Sequence, residues 1–143
     1  MLPSSLPARV QWFFEALARS REQALEHLPE VFSDDITFHD PFRDTRGMPA
    51  FRELFVRMFR QYREIDFTDF CVVDGGDQFS LTYSMHLRMA VGPVFVTPMA
   101  STCRARDGRV FALDDHYNLT SGLLSPFGLL HRAYRGAIRA LFL

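Results

Sequence analysis

An α+β fold, with helices covering one face of a curved and mostly antiparallel sheet, follows from a change of period along the 143-residue sequence. Up to about residue 62 apolar residues recur at helical spacing, interrupted by one short strand, and from residue 65 onward they alternate at period two. The alternating part is punctuated by Gly75-Gly76, Gly92-Pro93 and Asp107-Gly108, the residue pairs that close hairpins.

Taken in order, Pro7 suits a first helical turn, and Val10, Phe13, Phe14 and Leu17 form the stripe of a first helix. Ser20 with Gln23 reads as a capping box opening a second helix, whose stripe is Ala24, Leu25, Leu28, Val31 and Phe32; Pro29 interrupts or bends it. A strand from Ile36 to Asp40 ends at Pro41, and a polar loop runs to Gly47. Pro49 then opens a third helix with Phe51, Leu54, Phe55, Met58, Phe59 and Tyr62 on one face. Strands are expected at Ile65 to Asp74, Gln78 to Ala90, Val94 to Asp107 and Val110 to Asn118. In the second of these, Phe79, Leu81, Tyr83, Met85, Leu87 and Met89 share one face, with Thr82 and His86 on the other.

The pattern reads as one domain over 1–143, of which 119–143 form an extension. Ser125-Pro126 can open a helix striped by Leu129, Leu130, Ala133, Tyr134, Ala137, Ile138 and Leu141, with His131, Arg132, Arg135 and Arg139 nearer its polar side. We expect Pro126 to Leu141 to dock on protein, at a pocket mouth or a partner subunit; a membrane surface is the alternative.

Composition narrows the function. A hydrophobic content of 48% and 15 phenylalanines imply a wide apolar core. A net charge of -1, with no basic block before the C-terminus, argues against nucleic acid as a partner. Cys71 and Cys103 lack metal-site or redox-motif spacing and read as free thiols in a reducing compartment, so a cytoplasmic location is expected. No secretory h-region and no run of apolar residues long enough to span a bilayer are seen. Asn118-Leu119-Thr120 reads as a chance sequon.

Alternation puts Asp40 on the face of Ile36 and Phe38. Such a carboxylate is either a base in an apolar pocket or the cap of the turn that Pro41 starts. His39, His86 and His116 fall on the face opposite the carboxylates, so no metal site is expected.

Together the pieces VQWFFEAL, FSDDITFHDP, Arg46-Gly47 with FRELF, and DGRVFALDDHYN resemble the NTF2-like superfamily, in particular its SnoaL-like and ketosteroid-isomerase-like branches. The resemblance implies a cone, a curved sheet closed by helices around a deep pocket. It makes Asp40 the counterpart of a general base that moves a proton beside a carbonyl. It also departs from the isomerase pattern: Phe13 and Ala100 stand where the oxyanion donors would be, which argues against steroid isomerase activity. With Leu113 facing inward, Asp115 and Tyr117 follow it into the pocket, and Asp115 falls where limonene epoxide hydrolase-like members keep an acid; their Arg-x-Asp partner is missing.

The expected site is therefore Asp40 and Asp115 as catalytic groups, with Tyr83, Tyr117, Phe13, Phe32, Phe38, Phe55 and Leu113 contacting the ligand. The expected function is cofactor-independent proton transfer (isomerase, cyclase, dehydratase or hydrolase type) on a hydrophobic small molecule. The alternatives are a non-catalytic binder of such a molecule, or a structural dimeric accessory protein. The family's habit implies a homodimer through the outer sheet face.

Overall fold

Ser5 ends the extended N-terminal segment and caps α1 (Leu6–Arg19), its hydroxyl accepting from the Ala8 N–H at 3.4 Å, with Pro7 in the first turn where no N–H is needed. In the computed structural model, which describes residues 1–142, Val10, Phe13, Phe14 and Leu17 on this helix are all buried. Ser20 caps α2 (Arg21–Glu26), and α3 (Leu28–Val31) follows. The second helix expected from the stripe is thus two short ones. Pro29 carries no N–H to continue the ladder, so the chain breaks at His27 and restarts with proline in a first turn.

Phe32, expected on that helix, instead begins β1 (Phe32–His39), and Asp40 lies just beyond the strand. Asp44–Arg46, expected as loop, forms β2, a three-residue antiparallel edge to β1. Gly47, at φ 88, turns the chain into α4 (Met48–Gln61), a backbone angle that residues with a Cβ rarely adopt. Arg21 reaches from α2 to the C-terminal end of α4, donating to the carbonyls of Phe59, Tyr62 and Arg63 at 3.0 to 3.1 Å. A cation there meets the carbonyls a helix end leaves unpaired.

The alternating half becomes β3 (Glu64–Asp74), β4 (Gln78–Arg88), β5 (Val94–Arg106) and β6 (Arg109–Tyr117). The six strands run in the order β2-β1-β6-β5-β4-β3, antiparallel except for the β1–β6 pair. Bulges interrupt the register between Thr68 and Cys71, where Asp69 has φ 60, and between Arg104 and Ala105. An extra residue on one side of a ladder bends and twists the sheet, so the long strands curl around α1 and α4. Phe13, Phe32 and Phe51, edge to face, fill the space between helices and sheet.

After β6, Asn118 caps α5 (Leu119–Leu124) by accepting from the Ser121 N–H at 2.9 Å, which gives the sequon asparagine a structural role. α5 lies against β5. A Cβ at Gly122 would stand 2.1 Å from Thr97 Oγ1, so only glycine allows this approach, and the Val96 N–H donates to Ser125 Oγ at 2.8 Å. α6 (Gly128–Phe142) has no buried residue, and Leu129 and Leu141 are 83% and 75% exposed. The expected docking of Pro126 to Leu141 is therefore not made within the chain. α5 takes up the closing role, being the segment whose glycine lets it settle on the sheet. Leu143, the end of the expected extension, lies outside the described residues. Among the described residues no helix is long and apolar enough to cross a membrane.

Candidate active site

Asp40 and Pro41 begin a tight turn in which the Asp40 N–H donates to the Arg43 carbonyl at 2.9 Å. Aspartate at the first position and proline at the second are the residues such a turn selects. Oδ1 of Asp40 accepts from the N–H groups of Phe42 and Arg43, both at 2.8 Å. Oδ2 takes the Arg43 guanidinium through Nε at 3.1 Å and Nη2 at 2.8 Å. The Tyr117 hydroxyl donates more distantly to the same oxygen, at 3.4 Å. Of the two roles open for Asp40 in the sequence, the geometry builds the turn cap, and it adds a guanidinium held two-pronged. The carboxylate is buried, and four N–H groups and one hydroxyl are directed at its two oxygens.

Asp115 is built differently. It stands on the inner face of β6 between Leu113 and Tyr117, directly across the ladder from Ser101 on β5. The Ser101 hydroxyl donates to Asp115 Oδ1 at 2.6 Å, and it also lies 2.8 Å from the hydroxyl of Tyr83 on β4. A three-member chain of polar groups thus crosses the sheet from β4 to β6. The accessible surface that Asp115 retains borders the cavity. Burial, followed by the neighbouring carboxylates of Asp40 and Asp114, pushes its carboxyl up to about 7, against the opposing pull of the Ser101 hydrogen bond and Arg43. Burial, then the Asp115 charge, holds the Tyr83 phenol well above its usual range. Burial and the Asp40 carboxylate likewise raise Tyr117. A carboxyl poised near neutrality beside an apolar cavity can take up or release a proton at little expense in either direction.

The cavity measures about 310 Å³ and opens between α1, α4, α5 and the inner sheet face. Asp40 and Asp115 both border it, as do Tyr83, Tyr117, Phe38, Phe55 and Leu113. Phe13 and Phe32 do not: both are fully buried behind the wall, 5.1 Å apart ring to ring, where the first helix meets β1. The remaining wall is mostly apolar, with Phe14, Met58 and Phe67 on one side and Leu119, Gly122 and Leu123 contributed by α5.

Three features of this site were not read from the sequence. Arg43 is one, although an arginine three residues after a turn-forming Asp-Pro is placed to fold back on the aspartate. Ser101 is another. Alternation on β5 sends Thr97, Met99, Ser101 and Cys103 inward and leaves Ala100 on the other face, so the hydroxyl beside Ala100 supplies a donor that comparison at Ala100 alone overlooks. The third is α5 as the cover. The histidines lie elsewhere: His39 pairs with Asp44, His86 meets Thr68 Oγ1 at 3.0 Å, and His116 is exposed.

Solved structures share this architecture. An epoxide hydrolase of Mycobacterium tuberculosis, of the limonene epoxide hydrolase-like kind, is 18% identical and superposes with a TM-score of 0.70, covering 90% of this chain and 97% of its own. A protein of Catenulispora acidiphila with a ketosteroid isomerase-like fold, solved with trimethylamine, is 20% identical at a TM-score of 0.70, covering 87% and 92%. A candidate polyketide cyclase from Xanthomonas campestris pv. campestris is 24% identical at a TM-score of 0.67, covering 78% and 88%. At these identities the likeness establishes the fold. No curated protein matches the chain in sequence. The sequence pattern of the SnoaL-like domain matches residues 10–113, from the first helix through the strand that carries Leu113, and on that match the chain belongs to the SnoaL-like domain family.

Proposed function

We propose that the protein is a cofactor-independent proton-transfer enzyme acting on a hydrophobic small molecule, with Asp115 as the group that exchanges the proton. The observation that carries this reading is the placement of the Asp115 carboxyl on the wall of an apolar cavity, held by Ser101 at 2.6 Å, surroundings that push it up to about 7. In its ionised form Asp115 accepts a proton from a carbon beside a substrate carbonyl. In its protonated form it returns that proton to another atom of the same substrate, so an isomerisation or cyclisation closes without an external reductant or oxidant. The Ser101 hydroxyl fixes the carboxyl's orientation, and Tyr83 fixes Ser101. Tyr117 and Arg43, both on the cavity wall, are the donors available to a developing oxyanion; Asp40 holds Arg43 in place rather than acting as the base. Named activities among the structural neighbours include epoxide hydrolysis and, as candidates, polyketide cyclisation and hydroxylation.

The test is solvent exchange. A panel of apolar ketones incubated with the protein in deuterated buffer should acquire deuterium beside the carbonyl, detected by mass spectrometry. Asp115→Asn should lower that rate at least 100-fold, the lower range for loss of a general acid–base group. Ligands that bind without any exchange would instead favour the binder. That second reading draws on the saturation of Asp40 by Arg43 and two amides, which leaves one free carboxyl in the cavity. A purely structural role is disfavoured by the cavity itself, which the phenylalanines do not fill.

The assignment treats residues 1–143 as one functional domain. Its two unpaired cysteines, one exposed and one buried, support a reducing compartment such as the cytoplasm. A homodimer through the outer face around Thr82 and His86 fits the same reading, and a monomer at micromolar concentration in analytical ultracentrifugation would refute it.

A further inference from the structure

The last acidic residue of the chain is Asp115, so everything after it is either neutral or basic, although the whole protein carries a formal charge of -1. That asymmetry is concentrated in α6. Arg132, Arg135 and Arg139 are spaced three and four apart and share one stripe, while Leu130, Ala133, Ala137 and Leu141 share another on the far side. Neither stripe is covered. No residue of α6 is buried, and no arginine of α6 forms an ion pair among the described residues. An apolar face of this length next to unpaired guanidinium groups is complementary to a surface that offers both hydrocarbon and negative charge. A second copy pairing through the same helix supplies the first but sets three arginines of its own against these. A bilayer with anionic headgroups supplies both.

The glycines of α6 agree. Nothing lies within 4 Å of a Cβ built at Gly128 or Gly136, so neither is kept for a close approach to the protein. Both leave the helix easier to unwind away from its target.

We propose that α6 is a surface anchor that lays its leucine face into anionic bilayers, holding the cavity-bearing body at the membrane. This goes beyond the reading of the cavity and does not depend on it. Apolar rim residues of the cavity, Met89, Leu119 and Leu123, are themselves exposed, and α6 follows directly on the helix that carries two of them.

The experiment is co-sedimentation of the full chain with vesicles of phosphatidylcholine alone and of phosphatidylcholine with phosphatidylglycerol. Binding should appear with the anionic vesicles, weaken as salt is raised, and fall roughly fivefold for each of Arg132→Gln, Arg135→Gln and Arg139→Gln. Leu130→Gln with Leu141→Gln should abolish it, and Gly136→Ala, which meets no neighbour, should strengthen it. Because every substituted position is exposed, these variants should keep the wild-type melting temperature, so lost binding cannot be ascribed to misfolding. Absence of binding to anionic vesicles would overturn the proposal. So would a dimer in ultracentrifugation that the two leucine substitutions dissociate, which would show that the face is covered by a second copy.

Discussion

Asp115→Asn should make the protein more stable above neutral pH while leaving it nearly unchanged near pH 4. The reason is the direction of the Asp115 shift. Its folded carboxyl is raised from 3.8 to about 7, so between those values the native state holds a proton that the unfolded chain has released. Where the native state binds more protons than the unfolded one, stability falls as pH rises. The contribution of Asp115 is therefore fully present below about pH 4, is lost progressively as pH rises towards 7, and is gone above it. A shift of this size corresponds to roughly 4 kcal/mol. Asparagine keeps an oxygen for the Ser101 hydroxyl and cannot ionise, so the loss is removed. Thermal unfolding of both proteins across pH 4 to 8 should show melting curves that separate by roughly 10 °C at the alkaline end, at about 3 °C per kcal/mol. Contributions common to both proteins cancel in the difference. Parallel profiles would mean that Asp115 ionises like an exposed aspartate, and the assignment of the proton-exchanging group would fall with it.

The second large effect is at the turn. Asp40→Ala should lower stability by about 3 kcal/mol, because it strips the acceptor from two backbone N–H groups and from Arg43 at once. The figure is smaller than the sum of those hydrogen bonds taken singly. The Arg43 side chain is 53% exposed, so water screens the pair and takes up the guanidinium when the carboxylate is removed. Asp40→Asn keeps an oxygen for the two amides and should cost about 1 kcal/mol. Urea unfolding of the two variants reads this order directly. Equal losses would show that the charge pair, and not the turn, is what Asp40 contributes. The same variants divide the chemistry: in the deuterium exchange assay Asp40→Asn, which frees the Arg43 guanidinium but leaves the proton-exchanging carboxyl in place, should lose less of the rate than Asp115→Asn. If Asp40→Asn proved the more damaging, the base would be Asp40 after all.

Where the chain's periodicity reflects a single buried face, the sequence by itself determined the structure. Phe13, Phe14 and Leu17 share a helix face, and Tyr83 follows Leu81 inward on β4, because side-chain direction at periods of 3.6 and two is a local geometric consequence. The same rule, once the family resemblance sets Leu113 inward, puts Asp115 and Tyr117 on the inner face of β6, and the order of elements led to the curved α+β architecture and its family. Only the tertiary structure decided what those side chains meet. Ser101 reaches Asp115 because two strands pair in one register, and the bulge at Arg104 and Ala105 lies within that pairing. Spacing and resemblance together set Phe13 and Phe32 on the pocket wall, yet a periodic stripe does not distinguish a cavity wall from the core behind it. Arg43 closes on Asp40 because a proline turn brings position i+3 back over position i. The cover of the cavity was settled by an absent atom: Gly122, with no Cβ to strike Thr97, lets α5 lie on β5, and with that space taken α6 is left uncovered.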